Sequence, residues 1–341
     1  MIALGIGAVV IAALAAGALY EMLGARLARR RHPPPGRVVE LAGARFHVEV
    51  RGEGWPAVVL EAGIAASSMN WEPVAERVKQ FTRVVRYDRG GLGWSGPART
   101  PRRAGLMVEE LRALLGEAGI SGPFVLVGHS FGGLLARLFA QRFSGEVAGM
   151  VLVDPIQRRE WYPLRPLQAR MLARGVKLSR RGALLARLGV VRLSLALVMA
   201  GARRLPRLIA KVSASGAETP DRIAGEVRKL PRRLWPVVAA HWSQPKNFDS
   251  MASHLEQLPA SLAELDEART LDAMPLVVLS GGHLNERQRE EHAREAALSM
   301  RGIHRVVDGA AHWIHLDQPE EVVRAIREVV EQVRIMGECT T

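Results

Sequence analysis

A serine flanked by glycines, placed between a strand pattern and a helix pattern, restricts the fold of this chain more than any other feature. Residues 128–132 read Gly-His-Ser-Phe-Gly. The preceding run, Phe124–Val127, is apolar as in a buried strand, and helical spacing follows the motif. Gly128 and Gly132 leave room for a tight, strained turn that raises the Ser130 hydroxyl out of a sheet. The motif therefore predicts an α/β fold with Ser130 as nucleophile.

Short apolar runs alternate with helical patterns through most of the chain, and the alternation predicts a mostly parallel sheet with helices on both faces. The predicted strands cover residues 37–41, 45–50, 57–60, 84–87, 124–127, 149–153, 276–279 and 304–307, and the predicted helices cover 72–81, 108–118, 132–142, 286–300 and 320–334.

The alternation fails between residues 155 and 270, which are rich in Leu, Ala and Arg at helical spacing. This segment is predicted to be a helical cap inserted between two strands of the sheet. The predicted core is then formed by residues 37–154 and 271–335, and residues 336–341 form a tail.

The amino terminus has the composition of a membrane anchor. Residues 1–20 carry no charged side chain, which predicts a transmembrane helix over residues 1–23. Residues 24–36 contain four arginines and three consecutive prolines and are predicted to be a basic, stiff linker. Arginines lie on the cytoplasmic side of most spans, so we expect a single-pass protein whose catalytic domain faces the cytoplasm. A cleaved secretory signal and a helix packed on a soluble domain are the alternatives.

Charge and cysteine content exclude several classes of function. The net charge is +13, and residues 155–270 hold 21 Lys and Arg against 9 Asp and Glu. Such a basic segment favours anionic lipid or acidic substrates. No nucleic-acid-binding motif accompanies it, so no nucleic-acid partner is expected. The single cysteine, Cys339, cannot form an internal disulfide, and no zinc-ligand spacing occurs. Neither a metal nor a cofactor is predicted.

Four motifs together resemble the α/β-hydrolase family, over about Val38–Gln332. They are Val-Val-Leu-Glu-Ala-Gly at 58–63, Tyr-Asp-Arg-Gly-Gly-Leu-Gly-Trp-Ser at 87–95, the serine motif, and Gly-Ala-Ala-His at 309–312. The resemblance implies an eight-stranded α/β-hydrolase sheet, a helical cap after strand six, and catalytic residues in the order nucleophile, acid, histidine.

A serine hydroxyl is a weak nucleophile near neutral pH, so a base must remove its proton. His312 lies between the last predicted strand and the last predicted helix, where the resemblance implies the catalytic histidine. His283 is the best rival. His129, inside the serine motif, is expected to be structural, and His315 is expected to pack or to line the pocket.

The acid that orients the histidine is less clearly marked. Many family members place it after strand seven, but no aspartate stands there in this chain. Asp154 follows the sixth predicted strand, an edge that some lipases and dehalogenase-like members use, and it is the predicted acid. A purely structural role for Asp154 in a turn is the alternative. Glu286, Asp272 and Asp249 are the other candidates for the acid.

Two backbone N–H groups are needed to stabilise the oxyanion of an acyl-transfer reaction. Phe131 follows the nucleophile and is the first candidate donor. Ile64 follows the third strand and is the second, although Ala62 replaces the histidine that the family often has there. Residues 88–90 are predicted to form a structural turn beside the site.

The predicted function is hydrolysis of a small, apolar carboxylic ester through an acyl-enzyme on Ser130, without a cofactor. The same residues would serve amide, lactone, thioester or carbon–carbon bond hydrolysis, or acyl transfer. A serine nucleophile disfavours epoxide or haloalkane hydrolysis. A non-catalytic membrane-bound binding protein on the same scaffold is the alternative from another class. The cap is expected either to cover an acyl pocket against the bilayer or to be a solvated lid.

Overall fold

The computed structural model describes residues 2–199, 225 and 227–338. Its centre is one sheet with the strand order β1-β2-β4-β3-β5-β6-β7-β8. The strands are β1 (Arg37–Leu41), β2 (Ala44–Arg51), β3 (Ala57–Glu61), β4 (Val84–Asp88), β5 (Phe124–His129), β6 (Val147–Val153), β7 (Leu276–Gly281) and β8 (Gly302–Val307). The predicted eight-stranded α/β sheet is confirmed.

The strands are antiparallel at one edge and parallel elsewhere. β2 pairs antiparallel with β1 and with β4, and every other pairing is parallel. All residues of β3, β5 and β7 are buried, because helices cover both faces of a parallel sheet. Their continuous apolar runs are the pattern from which these strands were predicted.

Two helical layers enclose the sheet. The core helices are α2 (Glu72–Val78), α3 (Ala104–Glu117), α4 (Phe131–Arg142), α10 (Glu286–Ala296), α11 (Ile314–Asp317) and α12 (Pro319–Glu338). Side chains of α3 and α4 pack in the apolar cluster on one face of the sheet. Those of α2 and α12 pack in the cluster on the other face.

The segment between β6 and β7 is helical, as predicted for a cap. Its described helices are α5 (Arg158–Trp161), α6 (Pro166–Arg187), α7 (Val190–Met199), α8 (Trp235–Trp242) and α9 (Pro245–Ala263). Cap residues 200–224 and residue 226 lie outside the described residues, as does Cys339.

The amino-terminal helix, α1 (Ile2–Arg31), is the single described helix long and apolar enough to cross a membrane. It does not end near residue 23 but continues through the arginine cluster, because no proline interrupts it before Pro33. The non-helical linker is therefore only about five residues long. The carboxyl-terminal helix likewise runs to Glu338, so the first part of the predicted tail is helical.

Candidate active site

Ser130 occupies the sharp turn between β5 and α4. Its φ of 53° and ψ of −117° are strained for a residue with a side chain. A Cβ on Gly132 would meet the carbonyl oxygens of Glu61 and Ala62, the latter at 2.7 Å, and one on Gly128 would lie 2.6 Å from the Gly133 nitrogen. Only glycines fit at both positions, which explains why the serine motif has this spacing.

The parallel register brings the ends of three strands to the same edge of the sheet. His129 pairs with Val153, so the following residues, Ser130 and Asp154, are neighbours. The backbone N–H of Ser130 donates to the Val153 carbonyl at 3.0 Å. Asp154 has a φ of 44°. Of the five non-glycine residues with positive φ in the described chain, Ser130, Asp154 and Ala65 lie at this edge, and such strain is concentrated at functional sites.

A carboxylate and an imidazole meet beside the serine turn. Asp154 Oδ2 lies 2.5 Å from His312 Nδ1, and its Oδ1 accepts the backbone N–H of Gly281 at 3.1 Å. The Asp154 side chain is 3% exposed, whereas that of His312 is 33% exposed. Because a carboxylate only accepts hydrogen bonds, Nδ1 carries the proton and Nε2 keeps its lone pair. This arrangement leaves the outward-facing nitrogen able to accept a proton.

His129 ties the serine turn to the histidine loop. Its Nε2 donates to the backbone carbonyl of His312 at 2.9 Å, and the two rings lie 4.7 Å apart. Ser130 is the next residue along the chain. Within the part of the chain that the structure describes, no hydrogen bond joins the Ser130 hydroxyl to His312. Hydrogen bonds of this kind often tighten only in the complex with substrate.

Two buried histidines stack behind His312 and remain neutral. Burial holds the pKa of His129 well below its usual value, and it lowers the pKa of His315 to about 3. His315 also packs on Trp71, with ring centres 4.5 Å apart. The structure thus agrees with a packing role for both residues. His312, by contrast, is partly exposed and contacts Asp154 directly.

The backbone N–H groups of Phe131 and Ile64, the two candidate oxyanion donors, belong to segments next to the serine turn. Phe131 is the first residue of α4, so its N–H has no partner inside the helix. Ile64 follows the end of β3, and its N–H makes no hydrogen bond to any residue that the structure describes. Glu61 pairs with Gly128 in the sheet, which brings the Ile64 loop next to the serine turn.

A buried arginine holds the loop before Ile64, and the sequence did not reveal this contact. Arg89 donates to the carbonyls of Ala62, at 2.8 Å, and Gly63. It also pairs with Glu61 at 2.6 Å, and Glu61 accepts the hydroxyl of Tyr87. Burial raises the pKa of Glu61, and the arginine opposes that rise. Both charged groups are almost fully buried, so their pairing fixes the loop backbone.

The predicted structural turn at residues 88–90 is organised by Asp88. Its carboxylate accepts the backbone N–H groups of Ser68, at 2.7 Å, and Trp94, at 3.0 Å. His47 Nδ1 lies 2.9 Å from the same carboxylate. Burial works to raise the pKa of Asp88, but the hydrogen bonds from His47 and Ser68 outweigh it and lower that pKa. Asp88 is therefore an ionised, inward-facing group that stabilises the turn.

The rival candidates for the acid lie elsewhere. Asp249 pairs with Arg187 on the cap at 2.6 Å. Asp272 precedes β7 and therefore belongs to the opposite end of that strand. Glu286 is exposed at the start of α10.

His283, the rival base, lies at the edge of the same site. Its Nε2 is 3.9 Å from Asp154 Oδ2, against 2.5 Å for His312 Nδ1. Ligand atoms of Asp154, His283 and His312 all lie within 4.8 Å of one another. Two imidazoles and a carboxylate are donor types that bind zinc, so these residues could also hold such an ion.

Comparison with known proteins shows the family. Residues 58–325 match the Alpha/beta hydrolase family. The chain is 26% identical over 275 residues to the sn-1-specific diacylglycerol lipase ABHD11 of Mus musculus, covering 80% of each protein. It is 37% identical over 114 residues to YqjL of Bacillus subtilis, a match to 33% of this chain and 45% of YqjL. The latter match thus spans less than half of that relative.

Solved structures share the fold at lower identity. An esterase from Thermogutta terrifontis superposes with a TM-score of 0.61 at 23% identity, covering 87% of this chain and 97% of the esterase. The epoxide hydrolase CorEH superposes with a TM-score of 0.59 at 19% identity, covering 87% and 98%. The family match covers well over half of the residues, and the sheet order agrees with it. The chain belongs to the α/β hydrolase family.

Proposed function

We propose that this protein is a serine hydrolase that cleaves a small, apolar carboxylic ester through an acyl-enzyme on Ser130. His312 Nε2 removes the hydroxyl proton while the Ser130 oxygen attacks the ester carbonyl. Asp154 keeps the proton on His312 Nδ1 and stabilises the imidazolium that forms. The N–H groups of Ile64 and Phe131 stabilise the oxyanion.

Collapse of the tetrahedral intermediate completes the first half of the reaction. The alcohol leaves with the proton from His312 Nε2, and the acyl group stays on Ser130. In the second half, His312 takes a proton from water, the resulting hydroxide equivalent attacks the acyl carbonyl, and Ser130 regains its proton. Each step uses groups at the sheet edge described above.

The observation that carries the proposal is the short contact between His312 Nδ1 and Asp154 Oδ2 beside a strained serine. A structural turn alone explains the Gly281 N–H bond of Asp154 but not its approach to a partly exposed imidazole. Strain at Ser130 has a chemical use as well, because it presents the hydroxyl at the edge of the sheet.

The nucleophile and the relatives support the proposed substrate class. Epoxide hydrolases occur among the fold neighbours, but a serine at the nucleophile position favours acyl chemistry. A diacylglycerol lipase and an esterase are among the similar proteins, which supports an ester substrate. Acyl transfer or hydrolysis of an amide, lactone or thioester would use the same residues.

Attachment to a membrane through α1 is part of the proposal. The helix combines a mean hydropathy of 2.0 over its most apolar window with little burial, and arginines follow the apolar part. These features support a single span with the catalytic domain on the cytoplasmic side. A secretory signal carries its basic residues before the apolar run, whereas in α1 they follow it.

The test is a screen of p-nitrophenyl esters of increasing acyl length with the purified full-length protein. We expect turnover of one or more esters, and its loss in Ser130→Ala. Ser144→Ala is the matched control, because Ser144 is an exposed serine in the loop before β6, and it should keep full activity. Equal turnover by wild type and Ser130→Ala would contradict the proposal. A folded wild type that turns over no ester would favour the binding-protein alternative.

A further inference from the structure

The anchor helix is fastened to the cap by a buried ion pair. Glu21 is the one acidic residue of α1, and its side chain is buried. Its two carboxylate oxygens accept from the Arg192 guanidinium of α7 at 2.7 and 2.9 Å. Both side chains are mostly buried, and a two-bond arginine–carboxylate pair fixes orientation as well as distance. The ion pair therefore fixes α1 against the cap.

Backbone contacts on either side of this pair bring the two segments close. A Cβ on Gly17 would overlap the carbonyl oxygen of Leu188, at the end of α6. A Cβ on Gly189 would lie 2.5 Å from the carbonyl oxygen of Gly17. A Cβ on Gly24 would lie 2.6 Å from the Arg192 side chain. Glycines are the residues that allow such close helix contact, above all in membranes.

The apolar stretch of α1 decides where this contact lies in a bilayer. It carries no charged residue as far as Tyr20, so Gly17 lies inside the stretch and Glu21 lies at its end. Crossing a hydrocarbon core of about 30 Å takes about 20 such helical residues. The part of the cap that touches Gly17 and Glu21 must then lie at the inner boundary of the hydrocarbon.

The cap helix at this position, α7, exposes an apolar surface, as a position at the boundary of the hydrocarbon requires. Apart from Arg192, which is paired, α7 has no charged residue and no buried residue. Its exposed side chains include Leu193, Val198 and Met199, each about half exposed in the described structure. A bend of 83° separates α7 from α6. Exposed apolar surface of this kind marks a protein–protein or membrane interaction site, and the anchor helix beside it favours the membrane.

We propose that α7 lies in the cytoplasmic interface of the bilayer beside α1 and holds the cap on the membrane surface. The occupant of its apolar face is the acyl-chain region of the lipid. This inference rests on the proposed membrane attachment of α1. Pairing with Arg192 neutralises Glu21, which removes the main cost of placing an acidic residue at this depth.

The single cysteine of the chain permits a direct test. In a full-length Cys339→Ser background, single cysteines replace Leu193, Met199, Ile11 or Met300 and are labelled with an environment-sensitive fluorophore. Each protein is reconstituted into phosphatidylcholine–phosphatidylserine vesicles with or without brominated acyl chains. Ile11 reports the span, and Met300, which is 82% exposed before β8, reports the aqueous side. Ester turnover is measured in parallel to show that each protein is folded.

We expect brominated lipid to remove most of the fluorescence at Leu193, Met199 and Ile11 but none at Met300, whose label is quenched by aqueous iodide. Quenching at Ile11 together with iodide access at Leu193 and Met199 overturns the inference and leaves the anchor intact. Absence of lipid quenching at Ile11 overturns both the anchor and the inference, while ester turnover would still support the hydrolase. In a second variant, Arg192→Gln, we expect the label at Leu193 to be quenched more by aqueous iodide and less by brominated lipid. Unchanged lipid quenching at Leu193 would contradict the role of the ion pair.

Discussion

Replacing Asp154 by asparagine tests the geometry of the site more sharply than deleting it, because the new side chain keeps the shape. Asp154 accepts from two donors, the Gly281 N–H through Oδ1 and His312 Nδ1 through Oδ2. An asparagine has one oxygen for these two partners. If the oxygen stays on Gly281, the amide NH₂ faces His312 Nδ1, which must then accept. The proton of the neutral imidazole moves to Nε2, where the base is needed.

The opposite orientation of the asparagine is also unfavourable. Its NH₂ would face the buried Gly281 N–H, which would lose its acceptor at a cost of about 1–3 kcal/mol. We therefore expect the wrong tautomer of His312 to dominate. Loss of the triad carboxylate lowers kcat by about 10⁴-fold in a serine protease, which corresponds to about 5 kcal/mol of transition-state stabilisation. For Asp154→Asn we expect a fall in kcat of about 10³- to 10⁴-fold with little change in KM.

The assay is steady-state hydrolysis of the best p-nitrophenyl ester from the screen. His283→Gln is the matched control, since His283 approaches Asp154 only to 3.9 Å, and it should keep kcat within about tenfold of wild type. Thermal unfolding of each variant verifies that the fold persists. A kcat for Asp154→Asn within tenfold of wild type, in a folded protein, would refute the reasoning. A large loss in His283→Gln instead would assign the base to His283.

Three further results are expected. Gly132→Ala forces a Cβ against the carbonyls of Glu61 and Ala62, so it should lower the free energy of unfolding by about 1–3 kcal/mol and abolish turnover. The control is Gly116→Ala in α3, whose added Cβ meets no atom within 4 Å. It should not destabilise the protein in urea titrations. In Arg89→Lys, a single ammonium cannot donate to the carbonyls of Ala62 and Gly63 with the geometry of the guanidinium, so kcat should fall by about 10- to 100-fold while KM changes little. An unchanged kcat would refute the role of Arg89 in positioning this loop. Burial keeps His315 neutral, with a pKa of about 3, so unfolding takes up a proton below about pH 6.5, its unfolded pKa. Stability is therefore full above that pH and falls with pH toward 3. His315→Gln should make this slope shallower by about 1.4 kcal/mol per pH unit, and an identical slope would contradict the burial argument.

Patterns that depend on neighbours in sequence predicted much of the structure. Buried parallel strands are continuous apolar runs, so β3, β5 and β7 were placed to within two residues. The glycines at 128 and 132 marked a turn that has no room for side chains. Asp154 could be chosen over Glu286 because it directly follows a strand, and strand ends meet at one edge of the sheet.

Contacts between distant segments could not be predicted in this way. Arg89 reaches the loop at 62–63 only because β4 lies beside β3, a pairing that no local pattern encodes. Glu21 appeared as one acidic residue near the end of an apolar helix, and its partner, Arg192, is 171 positions away. The helix α1 extends beyond the predicted anchor for another reason: arginines are good helix formers, and charge alone does not end a helix.

The most direct test of the central claim is covalent trapping of the nucleophile. The full-length protein is treated with a fluorophosphonate probe, and the adduct is located by peptide mass spectrometry. We predict one modified residue, Ser130, with a labelling rate that falls at least about 10³-fold in His312→Gln. An adduct on another residue, or the same labelling rate in His312→Gln as in wild type, would contradict activation of Ser130 by His312.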